Sequence, residues 1–597
     1  MNLSKWPLPK DPHSYYEPGM PKAVQLRWTA GIDFGAKRVR GSATYTFDVS
    51  GPTLLDTWEL EILSITSGND TIPFVLGSHH KVKGTSLSFT VPESKVVTID
   101  YLTSKDPEKA KGIQWLPAEL CNGKPFVYTQ GEAINARSYL PCQDTPSIKL
   151  RVRATIIVPK GLRGLIAAPE LIDYIELDTS TVETWNIDQP IPSYLITFAV
   201  GDLVKRQIAD RLEVWAQPHV IDAAANEFRD LPTLMEAGEK LFGPYRFGKY
   251  GVLVMPAAFP YGGMENPCLS FVTPALLAGD GSGVSTVTHE LAHSWTGNLV
   301  TNANWDAFYL NEGWTVLAEH LITTLVEGRE DALVLLKLLE REFLGDCENF
   351  RKEGRSFLQK LAPGADDLDP DAIFSRVSYF RSCLLLLRIR QEVGEERFAE
   401  FIRTYIERFA FLSLTSEMFV DFCRQQLGDH VVDAINMHAW IYEEELPADA
   451  PVITCGAIVE VQGFANGPTV PPADIGWSTP RLQLYIELLP RTVSSEFITW
   501  LDEEHQLSTT LNTELRWSFL MLAIKSGHKD VLPYVGELLQ TQGRKKYLEP
   551  LYRALYETSW GREFADQIFE GARANYHPVV TSKIEEIRQT TVTTEFQ

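Results

Sequence analysis

Two histidines and a distant acid constrain the fold of this chain more than any other feature. His289 and His293 are four residues apart, so on a helix their side chains share one face about a turn from each other. Glu290 follows the first histidine, and Glu312 comes nineteen residues after the second. If these residues act together, the chain between them must turn back, so that a second helix brings Glu312 to the histidines.

This spacing is typical of a zinc site. Two imidazoles on one helix face can share an ion, and a catalytic zinc needs a third protein ligand and one open position. Glu312 would be that ligand, and Glu290 could take a proton from water on the metal. Glu319, two turns after Glu312, is a candidate partner that orients a ligand.

Two alternatives compete with a zinc site. A lone His-Glu-x-x-His occurs by chance in many helices, but the third acid within "NEGWT" argues against chance. An iron site can use the same ligand types, and here the spacing favours zinc.

Length and composition bound the protein class. A chain of 597 residues is too long for one core, and 44% hydrophobic residues supply ample core material. With 78 acidic and 55 basic residues the formal charge is −23, which disfavours binding to nucleic acid or to a membrane surface. No apolar run approaches the length of a membrane span, and the N-terminus does not resemble a signal peptide. The 7 cysteines are scattered, without a Cys-x-x-Cys pair, which indicates a reduced, cytoplasmic protein.

The residue patterns predict a multidomain α+β fold with four segments. Residues 1–201 alternate like the strands of an antiparallel sandwich or saddle-like sheet, in "RVRGSATYTFDV", "TWELEILSIT", "SLSFTV", "IKLRVRATIIV" and "SYLITFAVG". Residues 202–444 form a mixed domain with helices predicted at 284–300, 312–327, 331–349, 381–394 and 396–410. A proline-rich linker is predicted at 445–474. Residues 475–597 show successive amphipathic helices that indicate a solenoid-like domain.

The motifs together resemble the gluzincin zinc aminopeptidases. The resemblance rests on His289-Glu290-x-x-His293 with Glu312, on "YGGMENP" before it, and on "HSWTGNLVTN" and "LPCQDTPS". The last two point to the leukotriene A(4) hydrolase and aminopeptidase B-like branch, and the likeness covers nearly the whole chain. It implies one zinc ion, removal of N-terminal residues from peptides, and a β saddle, a thermolysin-like catalytic domain and an α-helical C-terminal domain.

The resemblance also implies residue roles. Glu290 would be the general base, and Tyr379 would stabilise the oxyanion, although taken alone Tyr379 is an ordinary core or rim tyrosine. Gln130 and Glu132, with Gly131 between them, would line the first side-chain pocket and the amine site, and Glu265 would bind the free α-amine. The other implied substrate contacts are Pro260, Tyr261, Gly262, Gly263, Met264, Asn266 and Asp371, and the basic trio Arg544, Lys545 and Lys546, which would hold a substrate carboxylate. Without the resemblance that trio is a solvated basic face, and the two glycines are a turn.

The chain departs from the branch at the inner pocket. Glu132 stands where the branch usually has Gln, which adds an acid beside Glu265 and favours peptidase work. Phe374 replaces a tyrosine of the lipid pocket, and Phe380-Arg381-Ser382 replaces Glu-Lys-Gly after Tyr379.

Three functions remain open from the sequence. A zinc aminopeptidase acting on short peptides is the main hypothesis. A bifunctional enzyme that also hydrolyses a fatty-acid epoxide is the alternative, weakened by Phe374. A non-catalytic binding scaffold is the remote one, because it predicts eroded zinc ligands and none is eroded.

Overall fold

The structure is a computed structural model that describes residues 10–467 and 469–594. Its N-terminal part is built from strands, many of which alternate buried and partly exposed side chains, as β-strands half-covered by a core do. The strands are β1 Ala23–Asp33, β2 Arg38–Phe47, β3 Gly51–Thr57, β4 Glu61–Ser67, β5 Asp70–Thr71, β6 Phe74–Leu76, β7 Thr85–Val91, β8 Val96–Leu102, β9 Ile113–Leu116, β10 Phe126–Thr129, β11 Lys149–Pro159, β12 Arg163–Ile166, β13 Glu170–Glu176, β14 Ser180–Pro192 and β15 Phe198–Gly201.

These strands form three sheets. Eight strands make the largest, in the order β13-β14-β11-β1-β2-β8-β4-β5, in which only β1 and β11 run parallel. Smaller sheets have the orders β12-β15-β10-β9 and β3-β7-β6. The stretch "TWELEILSIT", predicted as one strand, is divided between β3 and β4, because Glu59 has a positive φ of 55° that no strand accommodates.

The middle of the chain joins a mixed sheet to a group of helices. A five-stranded sheet has the order β16-β17-β18-β20-β19, and β21 pairs with β22. The strands of these two sheets are β16 Val204–Ala209, β17 Leu212–Ala216, β18 Tyr250–Val254, β19 Gly263–Met264, β20 Ser270–Val272, β21 Thr301–Asn302 and β22 Ser413–Leu414. The helices are α1 Ile221–Glu227, α2 Leu231–Phe242, α3 Val284–Ala292, α4 Tyr309–Val326, α5 Arg329–Lys352, α6 Ser382–Val393, α7 Glu395–Phe409, α8 Ser416–Leu427, α9 Asp429–Ile435 and α10 Met437–Tyr442.

Helix α3 is shorter than the predicted helix at 284–300. It ends at Ala292, and His293 is its C-cap. Gly297 then adopts a φ of +106°, and a Cβ there would lie 2.5 Å from the Asn311 side-chain oxygen and 2.7 Å from Nδ1 of His293. The glycine therefore lets the chain turn tightly against α4, which the helical spacing of the sequence does not show.

The C-terminal part is helical and two-layered. Helices α12, α14, α16 and α18 pack in succession, and α15 packs on α17 beside them, which is the stacking expected of a solenoid-like domain. The helices are α11 Gly456–Asn466, α12 Thr479–Leu488, α13 Ser495–His505, α14 Thr513–Lys525, α15 Leu532–Thr541, α16 Lys545–Tyr556, α17 Arg562–Ala572 and α18 Pro578–Thr594. Among the helices of residues 10–467 and 469–594, none has both the length and the apolar character to cross a membrane.

The segment predicted as a linker, residues 445–474, requires a correction. It includes helix α11, which packs against α5 and α12 and buries Ala457, Ile458, Val461 and Ala465. The prolines on both sides of this helix dominate the composition of the segment, and its pattern of apolar residues extends over only a short stretch. The predicted division points, 201/202 and 444/445, stay predictions.

Candidate active site

Three ligand atoms of His289, His293 and Glu312 converge between α3 and α4. The Nε2 atoms of the histidines lie 3.2 Å apart, and Oε2 of Glu312 lies 3.3 Å from Nε2 of His289 and 3.6 Å from Nε2 of His293. Four ligands at the usual zinc distances of about 2.0–2.1 Å would stand about 3.3 Å from each other at tetrahedral corners. The donor set and its spacing therefore fit one zinc ion.

The other ring nitrogen of each histidine is held by an oxygen. Nδ1 of His289 lies 3.0 Å from Oε2 of Glu319, and Nδ1 of His293 lies 3.1 Å from the backbone oxygen of Thr296. Such partners orient an imidazole and turn its Nε2 towards a metal. Burial also lowers the pKa of His293 to about 3, which keeps this ring neutral and able to bind a cation. Glu319 thus occupies the position expected of an orienting partner.

Glu290 lies beside these three ligands, against the loop of residues 261–267, the glycine loop. Its carboxylate is buried, and one carboxylate oxygen each of Glu290 and Glu265 lies within 4.8 Å of a ring nitrogen of His293. A Cβ at Gly263 would stand 2.1 Å from Oε1 of Glu290. Gly263 is therefore required for close approach of the loop to the carboxylate, which goes beyond the role of a simple turn.

Three buried acceptor atoms belong to residues that line the cavity next to the histidines. Oε1 of Gln130, Oε1 of Glu132 and Oε1 of Glu265 have no hydrogen-bond partner among the described residues. Burial raises the pKa of Glu132 well above its usual value and that of Glu265 to about 8, and the negative charges of neighbouring carboxylates add to both shifts. Buried acids without a cation are costly, so this end of the cavity favours a positively charged donor.

The loop that carries Glu265 is tied to several parts of the fold. Met264 accepts a hydrogen bond from Nε2 of Gln130 on its sulfur, and the backbone oxygen of Glu265 accepts one from Nδ2 of Asn298 at 2.7 Å. Asn266 is buried, and Tyr261, 36% exposed, packs its ring edge against Phe259.

Two further predicted residues shape the same wall. Gly131 is in close contact with its surroundings, because a Cβ there would lie 2.4 Å from the backbone oxygen of Tyr194. Asp371 is exposed and accepts hydrogen bonds from Asn135 Nδ2 at 2.9 Å and from the Ala133 backbone N–H at 3.3 Å. Asp371 therefore holds the loop that carries Glu132, while it also lines the cavity.

Tyr379 lies beside His289 of the ligand set. It belongs to a π-helical turn, Val377–Arg381, that precedes α6, and its ring stacks on His289 with centroids 6.0 Å apart. Phe374 meets the same ring edge-on at 5.6 Å and is 55% exposed. Short π-helical turns occur often at functional sites, where they place one side chain out of register.

The basic end of the cavity comes from the C-terminal helices. Arg544 is buried and donates from Nη1 to Glu514 at 3.1 Å and to the Tyr547 hydroxyl at 2.8 Å, while its Nη2 would be 2.5 Å from a Cβ at Gly262. Lys546 forms ion pairs with Glu514 at 3.0 Å and with Glu342 at 3.1 Å.

Lys545 differs from its two neighbours. Its Nζ is 3.9 Å from Glu549, and its backbone N–H donates to the backbone oxygen of Pro260 at 2.9 Å. The trio is therefore not one open basic patch: Lys546 is neutralised, Lys545 is linked to the glycine loop through its backbone, and Arg544 lies against that loop.

One cavity connects all these groups. It has a volume of about 1110 Å³ and is lined by Glu132 and Glu265, the two histidines, Tyr379 and the basic trio. Small-molecule sites usually occupy about 300–1,000 Å³, so this space accommodates several residues of an extended peptide.

Sequence reasoning missed the acids that pair with the basic end. Glu342 on α5 and Glu514 on α14 neutralise Lys546, and Glu514 also accepts from Arg544. No local spacing connects these residues with 544–546, so only the packing of three distant helices identifies them.

Comparisons with known proteins match three successive parts of the chain. The description "Peptidase M1 N-terminal domain" matches residues 13–195, "Peptidase family M1 domain" matches 229–440, and "Leukotriene A4 hydrolase, C-terminal" matches 477–587. A leukotriene A-4 hydrolase of Xenopus laevis is 33% identical over 95% of this chain and 97% of its own length. The chain belongs to peptidase family M1. An aminopeptidase B of Rattus norvegicus is 34% identical over 80% of this chain and 76% of its own.

Solved structures agree with this M1 assignment. The yeast LTA4 hydrolase in complex with Bestatin superposes with a TM-score of 0.88, at 25% identity and 97% coverage of both chains. An M1 zinc metallopeptidase mutant of Deinococcus radiodurans shares the fold at a TM-score of 0.58 and covers 75% of this chain and 100% of its own. The present chain is therefore a zinc aminopeptidase with a single catalytic zinc. Its predicted three-part fold is confirmed.

Proposed function

We propose that this M1 aminopeptidase removes N-terminal residues from short peptides and that His289, His293 and Glu312 hold its zinc. The observation that carries the proposal is the set of three buried acceptors, on Gln130, Glu132 and Glu265. An α-ammonium group has three N–H donors and one positive charge, which matches three acceptors and two acids. A peptide held there by its amine presents its first peptide bond to the zinc site.

Each residue of the cluster then has a separate task. When bound, zinc polarises the scissile carbonyl and activates a water molecule for attack. Glu290, buried beside His293, takes the proton of the attacking water and passes it to the leaving amine. Tyr379, stacked on His289, donates its hydroxyl hydrogen to the oxyanion that forms on the former carbonyl oxygen.

The far end of the cavity selects short peptides. Glu514 and Tyr547 accept hydrogen bonds from Nη1 of Arg544, and its Nη2 lies at the Gly262 backbone. A guanidinium at the end of the cavity can bind the terminal carboxylate of a short peptide. Lys546 contributes mainly by holding Glu514 in place, because both of its ion pairs are internal.

The amine site predicts a strict requirement for a free N-terminus. We expect Glu265→Gln to lower kcat/KM for a tripeptide by about 10- to 100-fold, because a hydrogen bond to a charged group contributes about 1.5–3 kcal/mol. The measurement is steady-state hydrolysis of an unblocked tripeptide and of its N-acetylated form. The wild-type enzyme should not cleave the acetylated peptide, since it leaves the buried acids without a cation.

A matched control keeps this test specific. Glu396→Gln changes an exposed acid on helix α7 and should leave both substrates unaffected. Cleavage of free and acetylated peptide at equal rates would contradict the assignment of Glu265 and Glu132 to the amine.

Hydrolysis of a fatty-acid epoxide is the second candidate activity. It is favoured by the 33% identity to a leukotriene A-4 hydrolase over nearly the full length of both chains. Phe374 counts against it, because the residue is apolar where the branch carries a phenol. The test is incubation of the purified protein with leukotriene A(4) and detection of a diol product. A Glu290→Gln sample measures spontaneous hydrolysis, so only diol formed above that level counts as enzymatic.

A cytoplasmic location is also part of the proposal. It is supported by the cysteines, since all seven are free thiols and six of them are buried. Free thiols of this kind are typical of proteins from reducing compartments.

A further inference from the structure

Arg381 makes an unusual set of contacts close to the active site. Its side chain is 1% exposed, and its guanidinium donates six hydrogen bonds of 2.6–3.1 Å, all of them to backbone carbonyl oxygens. The acceptors belong to Gln359, Ala439, Trp440, Glu443, Glu444 and Glu445. A guanidinium has five N–H donors, so at least one of them is shared between two carbonyls.

A buried cation held only by carbonyl dipoles is costly to keep. Burial lowers the pKa of Arg381 to about 10, which still leaves the group charged at neutral pH. An ion pair with a carboxylate is the common way to offset such a charge, and none of the six bonds goes to one. The arrangement therefore calls for a reason beyond the ordinary packing of a core residue.

The carbonyls come from two segments, of which the one around Gln359 borders the active-site cavity. Five of them belong to helix α10 Met437–Tyr442 and the residues after it, and that of Ala439 also accepts a hydrogen bond from the Glu443 backbone N–H. The sixth is that of Gln359, directly before the cavity-lining Lys360 and Leu361. Arg381 thus joins the end of α10 and one cavity wall to its own backbone.

That backbone is the π-helical turn that carries Tyr379. The turn spans Val377–Arg381, so Arg381 ends it and lies two residues after the tyrosine. Its other end is held as well: the Arg376 backbone N–H donates to Asp346 at 2.8 Å, and Nε of Arg376 donates to Glu342 at 2.7 Å. The turn is therefore held at both ends by charged groups.

The ring of Tyr379 packs against flat groups only. The rings of His289, Phe308 and Phe374 lie at centroid distances of 5.6–6.3 Å, and the Arg376 guanidinium lies 5.1 Å from its centroid. Ring-to-ring contacts of this kind tolerate sliding, and Phe374 is itself half exposed. The position of the hydroxyl relative to the histidines therefore depends on how the turn is anchored.

We propose that Arg381 is a positioning residue for Tyr379, which it holds in place by fixing the C-terminal end of the π-helical turn to the backbone of α10 and of Gln359. This inference rests on the oxyanion role given to Tyr379 under the proposed function. It explains why an arginine stands at this position, since a planar fork serves several carbonyls at once and an ammonium has only three donors.

A double-mutant cycle tests the proposal. We expect Arg381→Gln to lower kcat for a tripeptide about 10- to 100-fold with little change in KM, since displacement of a catalytic group by about 1 Å has effects of this size. In a Tyr379→Phe background the same substitution should change kcat by less than about 2-fold, because the group that it positions is already gone. Arg381→Lys should regain part of the activity.

The control is another arginine, on the helix that follows the turn. Arg388 on α6 donates to Asp449 and to Glu392, away from the turn. Arg388→Gln should lower the melting temperature and leave kcat unchanged. Zinc content and the melting temperature are measured for every variant, so that loss of fold is separated from loss of position.

The possible outcomes separate the two claims. A kcat loss from Arg381→Gln that is equal in both backgrounds would overturn the positioning role and leave the function of Tyr379 intact. An unchanged kcat in Tyr379→Phe alone would instead refute the oxyanion role. If Arg381→Gln does not fold, the cycle is run with Arg381→Lys, where a lowered melting temperature with wild-type kcat would also overturn the proposal.

Discussion

Replacement of Glu290 by Gln should lower kcat by about 10²- to 10⁴-fold, the usual contribution of a general acid–base group, while zinc stays bound. Gln keeps the shape of the side chain beside Gly263 and removes only the ability to take a proton. The side chain of Glu290 is buried with the backbone of Gly263 against it, and Gln fills the same space.

The measurement is tripeptide hydrolysis together with zinc content by atomic absorption. Glu396→Gln on the surface of α7 serves as the matched control, and it should retain full activity. Hydrolysis by Glu290→Gln at more than about a tenth of the wild-type rate would show that another group takes the proton.

Replacement of Glu312 by Ala should cost the enzyme both its zinc and its activity. The side chain supplies one of three converging donor atoms, so its loss leaves two histidines that no longer form a three-ligand zinc site. Loss of an outer partner usually weakens metal binding by about 10- to 100-fold, so Glu319→Gln should weaken it by that amount and Glu312→Ala by more.

Zinc content after dialysis against a graded chelator series ranks these variants directly. Glu327→Ala, at the exposed end of the same helix, provides the control and should bind zinc like the wild type. The metal assignment is refuted if Glu312→Ala retains zinc as tightly as Glu319→Gln does.

Much of the zinc site could be predicted because its decisive part is local. His289 and His293 share a helix face as a direct consequence of the helical repeat, and strand alternation in the N-terminal part is equally local. The predicted helix nevertheless ran past its true end, since the turn at Gly297 depends on contact with Asn311 of α4. The helix inside the predicted linker was missed for a related reason: its stability comes from packing on α5 and α12.

The roles at the two ends of the cavity required more than the residues themselves. The resemblance to gluzincin aminopeptidases indicated Glu132, Glu265 and Arg544, but nothing in their neighbourhoods shows which hydrogen bonds are already satisfied. The structure shows that the two acids keep unpartnered oxygens, whereas Lys546 is paired with Glu342 and Glu514.

The sequence by itself determined the ligand types, the spacing of the two histidines and the order of a strand-rich, a mixed and a helical region. These follow from local geometry, which repeats every few residues along a helix or strand. The tertiary structure alone decided how near Glu312 comes to the histidines, which acceptors stay free for an amine, and that Arg381 fastens the turn of Tyr379. These depend on side chains tens to hundreds of residues apart, whose distances are set by the packing of whole helices and sheets.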